Sequence, residues 1–416
     1  MLNNATHLKC LNCGREYPAT PYATTCPVCG PVEGIMDVVY DYARVKKELT
    51  RESLSQNRDY TIWRYTPLLP VEPAGPRSAL RVGWTPVYRS ERLARELGVR
   101  ELFIKDDGLN PTASLKDRAS ALGVTKALEA GASTVACAST GNAASSLAGN
   151  AASVGLKTVI FVPERAPAGK LAQLLIFGAT VISVQGNYQD AFRLSAEAIE
   201  RWGWYNRNAA INPYLVEGKK TVSLELAEQL QWQVPDWVVF SVGDGCTIGG
   251  AWRGFVDLYA LGLIDRLPRM LGVQAGGCAP IYRAWKEKKP LQPEEENTLA
   301  DSIAVGVPRN FKKALRAIND SQGLMVTVSD EEILAAMRLL GRTTGVFGEP
   351  AGVAGLAGLK RAVAEGLVDP EGSFGVVITG NGLKDVANGI KAAGEPLRIP
   401  PDMQVLEKVL RERGAI

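Results

Sequence analysis

Between residues 134 and 202 short β-branched runs alternate with stretches of helical period. A chain patterned this way buries both kinds of element only as a parallel sheet with helices on its faces. The runs 134–138, 158–162 and 180–184 read as strands, and 143–152, 169–177 and 191–202 as helices. The pattern resumes at 237–242, 270–274 and 375–380, and a further run at 101–105 comes before it. A chain of 416 residues exceeds one ordinary core. The expected fold class is therefore α/β, with two three-layer domains and mostly parallel sheets.

Composition excludes whole classes of chemistry. The only histidine is His7, in an opening segment with no core character, so Ser-His-Asp and Cys-His mechanisms and His-rich catalytic metal centres are ruled out. Acid-base work falls to lysine, carboxylates, tyrosine or a cofactor. A formal charge of +3 gives no reason to expect nucleic acid or an anionic membrane as a partner. No apolar run approaches a membrane span, and the opening residues lack a secretory pattern, so a cytoplasmic protein is expected.

Cys10-Leu11-Asn12-Cys13 and Cys26-Pro27-Val28-Cys29 are two Cys-x-x-Cys knuckles, each followed by glycine. Four thiolates so spaced suit a tetrahedral zinc ion with no open position, hence a structural site. Two disulfides or a redox dithiol are the alternatives; a reducing compartment disfavours the first and the absence of a thioredoxin-like pattern the second. Residues 1–36 are thus expected to form a zinc ribbon, with 36–57 a charged amphipathic connecting helix. Residues 115–220 should form the smaller α/β domain, and 37–114 with 221–416 the larger one.

The most suggestive lysine is Lys116, between a predicted strand and a predicted helix. Unpaired helix N–H groups and burial both favour its neutral amine, although a lysine solvating a helix start has the same local pattern. Ser139-Thr140-Gly141-Asn142-Ala143 ends a strand and opens a helix, where N–H groups meet anions such as a carboxylate; it could equally be an ordinary helix cap. The glycine-rich turn Ser241 to Gly250 could wrap a phosphate or simply connect strand to helix. Glu349 could orient a cofactor or cap the helix that follows.

Asn110-Pro111-Thr112-Ala113-Ser114-Leu115-Lys116-Asp117-Arg118 resembles the Asn-Pro-Thr-Gly-Ser-Phe-Lys-Asp-Arg segment of threonine synthases, pyridoxal-phosphate enzymes of the tryptophan-synthase-β type. Ser-Thr-Gly-Asn at 139–142, Glu-Pro-Ala at 349–351 and Thr-Gly-Asn-Gly-Leu-Lys-Asp at 379–385 resemble further segments of that family, in the same order. The resemblance implies that Lys116 carries pyridoxal 5'-phosphate as a Schiff base. It implies that Asn142 meets the cofactor's phenolic oxygen, that Gly243, Asp244, Gly245, Cys246 and Thr247 hold its phosphate, and that Thr379 lies opposite its ring nitrogen. Ser139, Thr140, Asn142 and Ala143 would grip the substrate carboxylate.

The implied reaction converts O-phospho-L-homoserine and water to L-threonine and phosphate, by a homodimer. Zinc ribbons also begin many relatives of this family. The chain departs from the family pattern at Asp244, Cys246 and Thr247, where the family has Asn, Gly and Asn. It departs again in Asn212-Pro213-Tyr214-Leu215-Val216-Glu217-Gly218-Lys219-Lys220-Thr221, where Leu215 stands in place of an arginine that reaches the substrate phosphate. Asp244, beside a phosphate, is expected to turn away or to meet a hydroxyl, and Lys219 or Lys220 to compensate as point charges. The competing readings are a related enzyme that eliminates or replaces the β-substituent of serine, threonine or an activated serine, and a zinc-ribbon binding module on a decayed fold.

Overall fold

A computed structural model describes residues 3–164, 168–186, 188–208 and 211–416; Met1 and Leu2 of the opening segment lie outside them. Its central sheet has six strands in the order Leu324–Val328, Arg269–Ala275, Trp237–Ser241, Ser373–Ile378, Glu101–Asp106, Val87–Arg89. All neighbours are parallel except the last pair. Trp237–Ser241 is buried along its whole length because helices cover both faces. One face packs on Asp330–Thr344 and Pro350–Ala364, the other on Cys246–Leu261 and Phe311–Asp320.

The second sheet is fully parallel, in the order Thr180–Val184, Lys157–Pro163, Thr134–Ala138, Tyr205–Asn206. Lys116–Glu129 and Asn142–Ala152 cover one face and Tyr188–Trp202 the other. The expected three-layer α/β class is therefore the observed one. Three strands of these two sheets carry too short or too weak a signal to be expected: Leu324–Val328, the three-residue Val87–Arg89 and the two-residue Tyr205–Asn206.

The segment 36–57 differs from the expected single helix. Met36–Tyr40 alternates buried and half-buried residues and pairs antiparallel with Ala5–Cys10, so the ribbon's sheet runs on to Tyr40. The helical part is split into Tyr42–Glu48 and Arg51–Gln56. Asp41 accepts from the Arg44 amide and Thr50 from the Ser53 amide, and each cap starts a new helix.

Position 220, where the sequence suggests a domain border, lies inside the helix Tyr214–Gln229. That helix packs against Lys116–Glu129 and against Cys246–Leu261, joining the two units. Gly218 permits the crossing: a Cβ there would come within 2.2 Å of the Arg118 carbonyl oxygen.

The crossing is held by buried charge. Arg118 donates to Asp107 Oδ2 at 2.7 Å, to Glu225 at 2.6 and 2.7 Å and to Thr221 Oγ1 at 2.9 Å, and Lys105 donates to Glu225 Oε2 at 2.8 Å. Burial opposes the Glu225 charge, but Arg118 and Lys105 outweigh it and hold the carboxyl down to about 2. Removing one partner of such a cluster strands the others without solvent. Glu225→Gln is expected to lower unfolding stability by about 3–5 kcal/mol. Urea titration at neutral pH would measure it, and a loss below about 1 kcal/mol would show that the cluster does not hold the crossing.

Candidate functional site

Lys116 owes its position to three residues before it. Leu115 N–H donates to Thr379 O at 2.9 Å and Asn381 N–H to Ala113 O at 3.0 Å, with Ser114 bridged to Gly380, so the segment is zipped to the loop after the central strand Ser373–Ile378. Asp117 reaches back to accept from Thr112 N and Oγ1, both at 2.8 Å, and from Asn150 Nδ2 at 2.9 Å. The two charged neighbours of Lys116 are thus fastened in the core, and the lysine alone faces a cavity of about 1010 Å³ between the two units.

No described residue gives the Lys116 ammonium a hydrogen bond or an ion pair. Burial first, and then the Lys219 ammonium, pull its pKa down to about 8, toward the neutral nucleophile. Thr379, Ser139, Asn142 and Ala143 line the same cavity; Thr140 instead lines an adjoining space of about 330 Å³ that shares Asn142 and Glu349 with it.

Gly243, Asp244, Gly245, Cys246 and Thr247 also line the larger cavity, at the opening of the 16-residue helix Cys246–Leu261. Gly245 has φ +93°, and a Cβ there would lie 2.7 Å from Asn310 O, so the turn needs glycine. Asp244 meets amides where a hydroxyl is one expected partner: its carboxylate accepts from Arg309 N at 2.8 Å and Asn310 Nδ2 at 2.7 Å. Cys246 Sγ accepts from Lys219 Nζ, and both are buried.

Glu349 faces the cavity and makes no side-chain cap to Pro350–Ala364. It accepts from Asn142 Nδ2 at 2.6 Å, and burial raises its pKa to about 7 despite Lys384, Asn142 and Lys116. Arg207 and Arg309 also line the cavity, and no motif singles them out in the sequence. Leu215 does not line it; it is fully buried, against Gly123.

These residues fit a phosphorylated pyridine aldehyde: an amine with no partner among the described residues, an open turn at a helix N-terminus for the phosphate, and the Asn142 amide on the same cavity. Separately, the sulfurs of Cys10, Cys13, Cys26 and Cys29 all lie within 4.8 Å of one another. Cys13 and Cys26 are 3.8 Å apart, the spacing that tetrahedral Zn–S bonds of about 2.3 Å impose. Asn12 N and Nδ2 donate to Cys10 and Cys29, and the Tyr17 hydroxyl is 3.0 Å from Cys26 Sγ, as thiolates need.

The pyridoxal-phosphate dependent enzyme family matches residues 79–380. A threonine synthase of Methanocaldococcus jannaschii is 41% identical over 407 residues, covering 97% of this chain and 99% of that protein. One from Methanosarcina acetivorans is 40% identical over 97% and 98%. Among solved structures, threonine deaminase isoform 2 of Solanum lycopersicum superposes with a TM-score of 0.65 at 22% identity, covering 74% of this chain and 87% of that one. Diaminopropionate ammonia lyase of Escherichia coli gives 0.64 at 20%, over 77% and 88%.

The raised Glu349 pKa has a thermodynamic consequence. From pH 4.5, the ordinary value, up to about 7, an unfolded chain ionises this carboxyl while the folded one stays protonated. Its contribution to stability is full below that window and lost as the pH rises through it. The melting temperature of the coenzyme-free protein, relative to Glu349→Gln, should fall across the window and level off above about pH 8; a constant difference would disprove the shift.

Proposed function

Because the chain belongs to the threonine synthase family of pyridoxal-phosphate dependent enzymes, we propose that it converts O-phospho-L-homoserine and water to L-threonine and phosphate. The observation that carries this reading is the convergence on one cavity of the Lys116 amine, the Asn142 loop, the glycine turn and Thr379, four segments far apart in the chain. When bound, pyridoxal phosphate supplies the electron sink that acidifies the hydrogens of the amino acid.

The chain's own residues do the rest. Lys116 would hold the coenzyme and, once free, move protons between Cα and Cβ, its depressed pKa letting it act as base and acid near neutrality. Gly243 to Thr247 would hold the coenzyme phosphate, Asn142 its phenolic oxygen, and Thr379 its ring nitrogen through a neutral hydroxyl. Ser139, Thr140 and the Ala143 backbone would hold the substrate carboxylate. The neutral form of Glu349 keeps a second negative charge away from the substrate's anionic groups. Leu215 favours a second reading, in which an unphosphorylated serine or threonine loses its β-substituent.

The smaller unit is assigned to residues 115–220, with the helix Tyr214–Gln229 shared between units. The four cysteines bind one structural zinc, which would brace the ribbon against both units: Tyr22 OH donates to Ala130 O at 2.8 Å, and Arg316 pairs with Asp37 at 2.6 Å. Seven unpaired cysteines suit the cytoplasm. Exposed Leu383, Val386 and Ile390 provide an apolar surface for a homodimer. No described helix is long and apolar enough to cross a membrane.

Phosphate and threonine should appear in equal amounts from O-phospho-L-homoserine, and Lys116→Ala should cut the rate by at least about 1,000-fold. Pyruvate or 2-oxobutyrate from free serine or threonine, without phosphate release from the ester, would establish the second reading. Metal analysis should find one zinc per chain in the parent. Cys13→Ser should lower that content and the melting temperature together; full zinc in this variant would remove the four-sulfur site.

A further inference from the structure

With the coenzyme turn and the carboxylate loop assigned, Arg207, Arg309 and Lys219 remain as cavity-lining cations without a stated task, and of the two arginines only Arg207 is buried. Arg207 follows the strand Tyr205–Asn206 and is only 1% exposed. Its Nε and Nη2 donate to Ser120 Oγ at 3.2 and 3.0 Å, and Ser120 in turn meets Ser146 Oγ at 2.7 Å. No described residue accepts from Nη1, and no described carboxylate pairs with the guanidinium.

Three arginines are buried among the described residues, and the other two are neutralised: Arg118 by Asp107 and Glu225, Arg64 by Glu228. A guanidinium buried without a counter-charge is costly unless an anion arrives to share the site. Lys219 lines the same cavity, with the Cys246 sulfur as its one partner among the described residues, so the cavity holds a further cation besides Arg207.

The location is informative. Leu215 and Arg207 cover the same glycine: a Cβ at Gly123 would lie 2.8 Å from Leu215 Cδ2 and 3.9 Å from Arg207 Cγ. Where the family pattern places an arginine, position 215 holds an apolar side chain, and another arginine near the same glycine lines the cavity. We propose that Arg207 makes the forked contact to the phosphate ester of the amino-acid substrate and so sets the preference for phosphorylated over free amino acids. The proposal rests on the reading of the substrate as a phosphate ester.

A guanidinium offers parallel N–H donors that an ammonium lacks. The same chemistry could serve the phosphate of the coenzyme, and the experiment separates the two. Arg207→Gln and Arg207→Lys would be compared with the parent holoenzyme for KM and kcat on O-phospho-L-homoserine. Inhibition by orthophosphate, coenzyme affinity by absorbance titration, and thermal melting complete the set.

The expected result is that Arg207→Gln raises KM and the orthophosphate inhibition constant together by about 100-fold, that Arg207→Lys recovers about tenfold of this, and that coenzyme affinity moves less than about threefold. Weakened coenzyme binding with unchanged orthophosphate inhibition would overturn the proposal, as would no change in either. Should Arg207→Gln not fold, Arg207→Lys keeps the stem and charge, and an orthophosphate constant within about twofold of the parent would overturn the proposal by itself. A parent that leaves the phosphate ester untouched defeats the reading of the reaction. In that case, orthophosphate binding to the holoenzyme, followed by its absorbance, still decides the anion site: loss in Arg207→Gln supports it, retention overturns it.

Discussion

The buried ion cluster of Arg118, Asp107, Glu225 and Lys105 is the constraint on which the rest of the structure depends. It ties together the helix that begins with Lys116, the helix Tyr214–Gln229 and the strand Glu101–Asp106, which come from distant parts of the chain. Its charges are mutually satisfied at zero exposure, the only condition under which such groups are tolerated in a core. Two residues from Arg118, the Lys116 amine has no such partner, so the lysine stays available while its surroundings are fixed.

The departures from the family pattern make sense in three dimensions as a set. Cys246, which stands where the family has glycine, meets Lys219, one of the lysines expected to act as a point charge. Leu215 and the stem of Arg207 both lie near Gly123, and Arg207 lines the cavity. Asp244 is harmless near an anion because it is spent on the Arg309–Asn310 backbone and side chain. Ala113 does carry a cost: its φ is +66°, where a Cβ costs about 1–2 kcal/mol, which explains the glycine usual in that segment. Hydrogen bonds from Leu115 and Asn381 on either side hold the strained residue in place.

The ribbon is more than an appendage in this arrangement. Tyr22 packs near Tyr205, two residues before Arg207, with ring centroids 6.1 Å apart, and its hydroxyl binds the end of the lysine helix. On its other side Lys313 and Arg316 pair with Asp37. The four-cysteine ribbon therefore contacts both layered units.

Much of this was legible without coordinates. Period-2 and period-3.6 patterning depends on nothing but neighbours in the chain, so the α/β class and the positions of most strands in the two parallel sheets could be read directly, as could the cysteine knuckles and the strand-to-helix turns that carry the site. The strand Met36–Tyr40 was missed because its charged flanks imitate an amphipathic helix until Ala5–Cys10 is there to pair with it. Which charges are silenced and which face the cavity could not be read at all. Arg118 and Arg207 are the same residue type, both with polar neighbours in the chain; one meets Asp107 and a second carboxylate brought by a helix crossing about a hundred positions away, while among the described residues the other bonds to a serine hydroxyl alone. The sequence by itself determined the layers and the line of candidate groups, since these follow from local periodicity and backbone chemistry. Only the tertiary structure decided the electrostatics of the site, because the energy of a buried charge depends on partners that the fold, not the chain order, brings within reach.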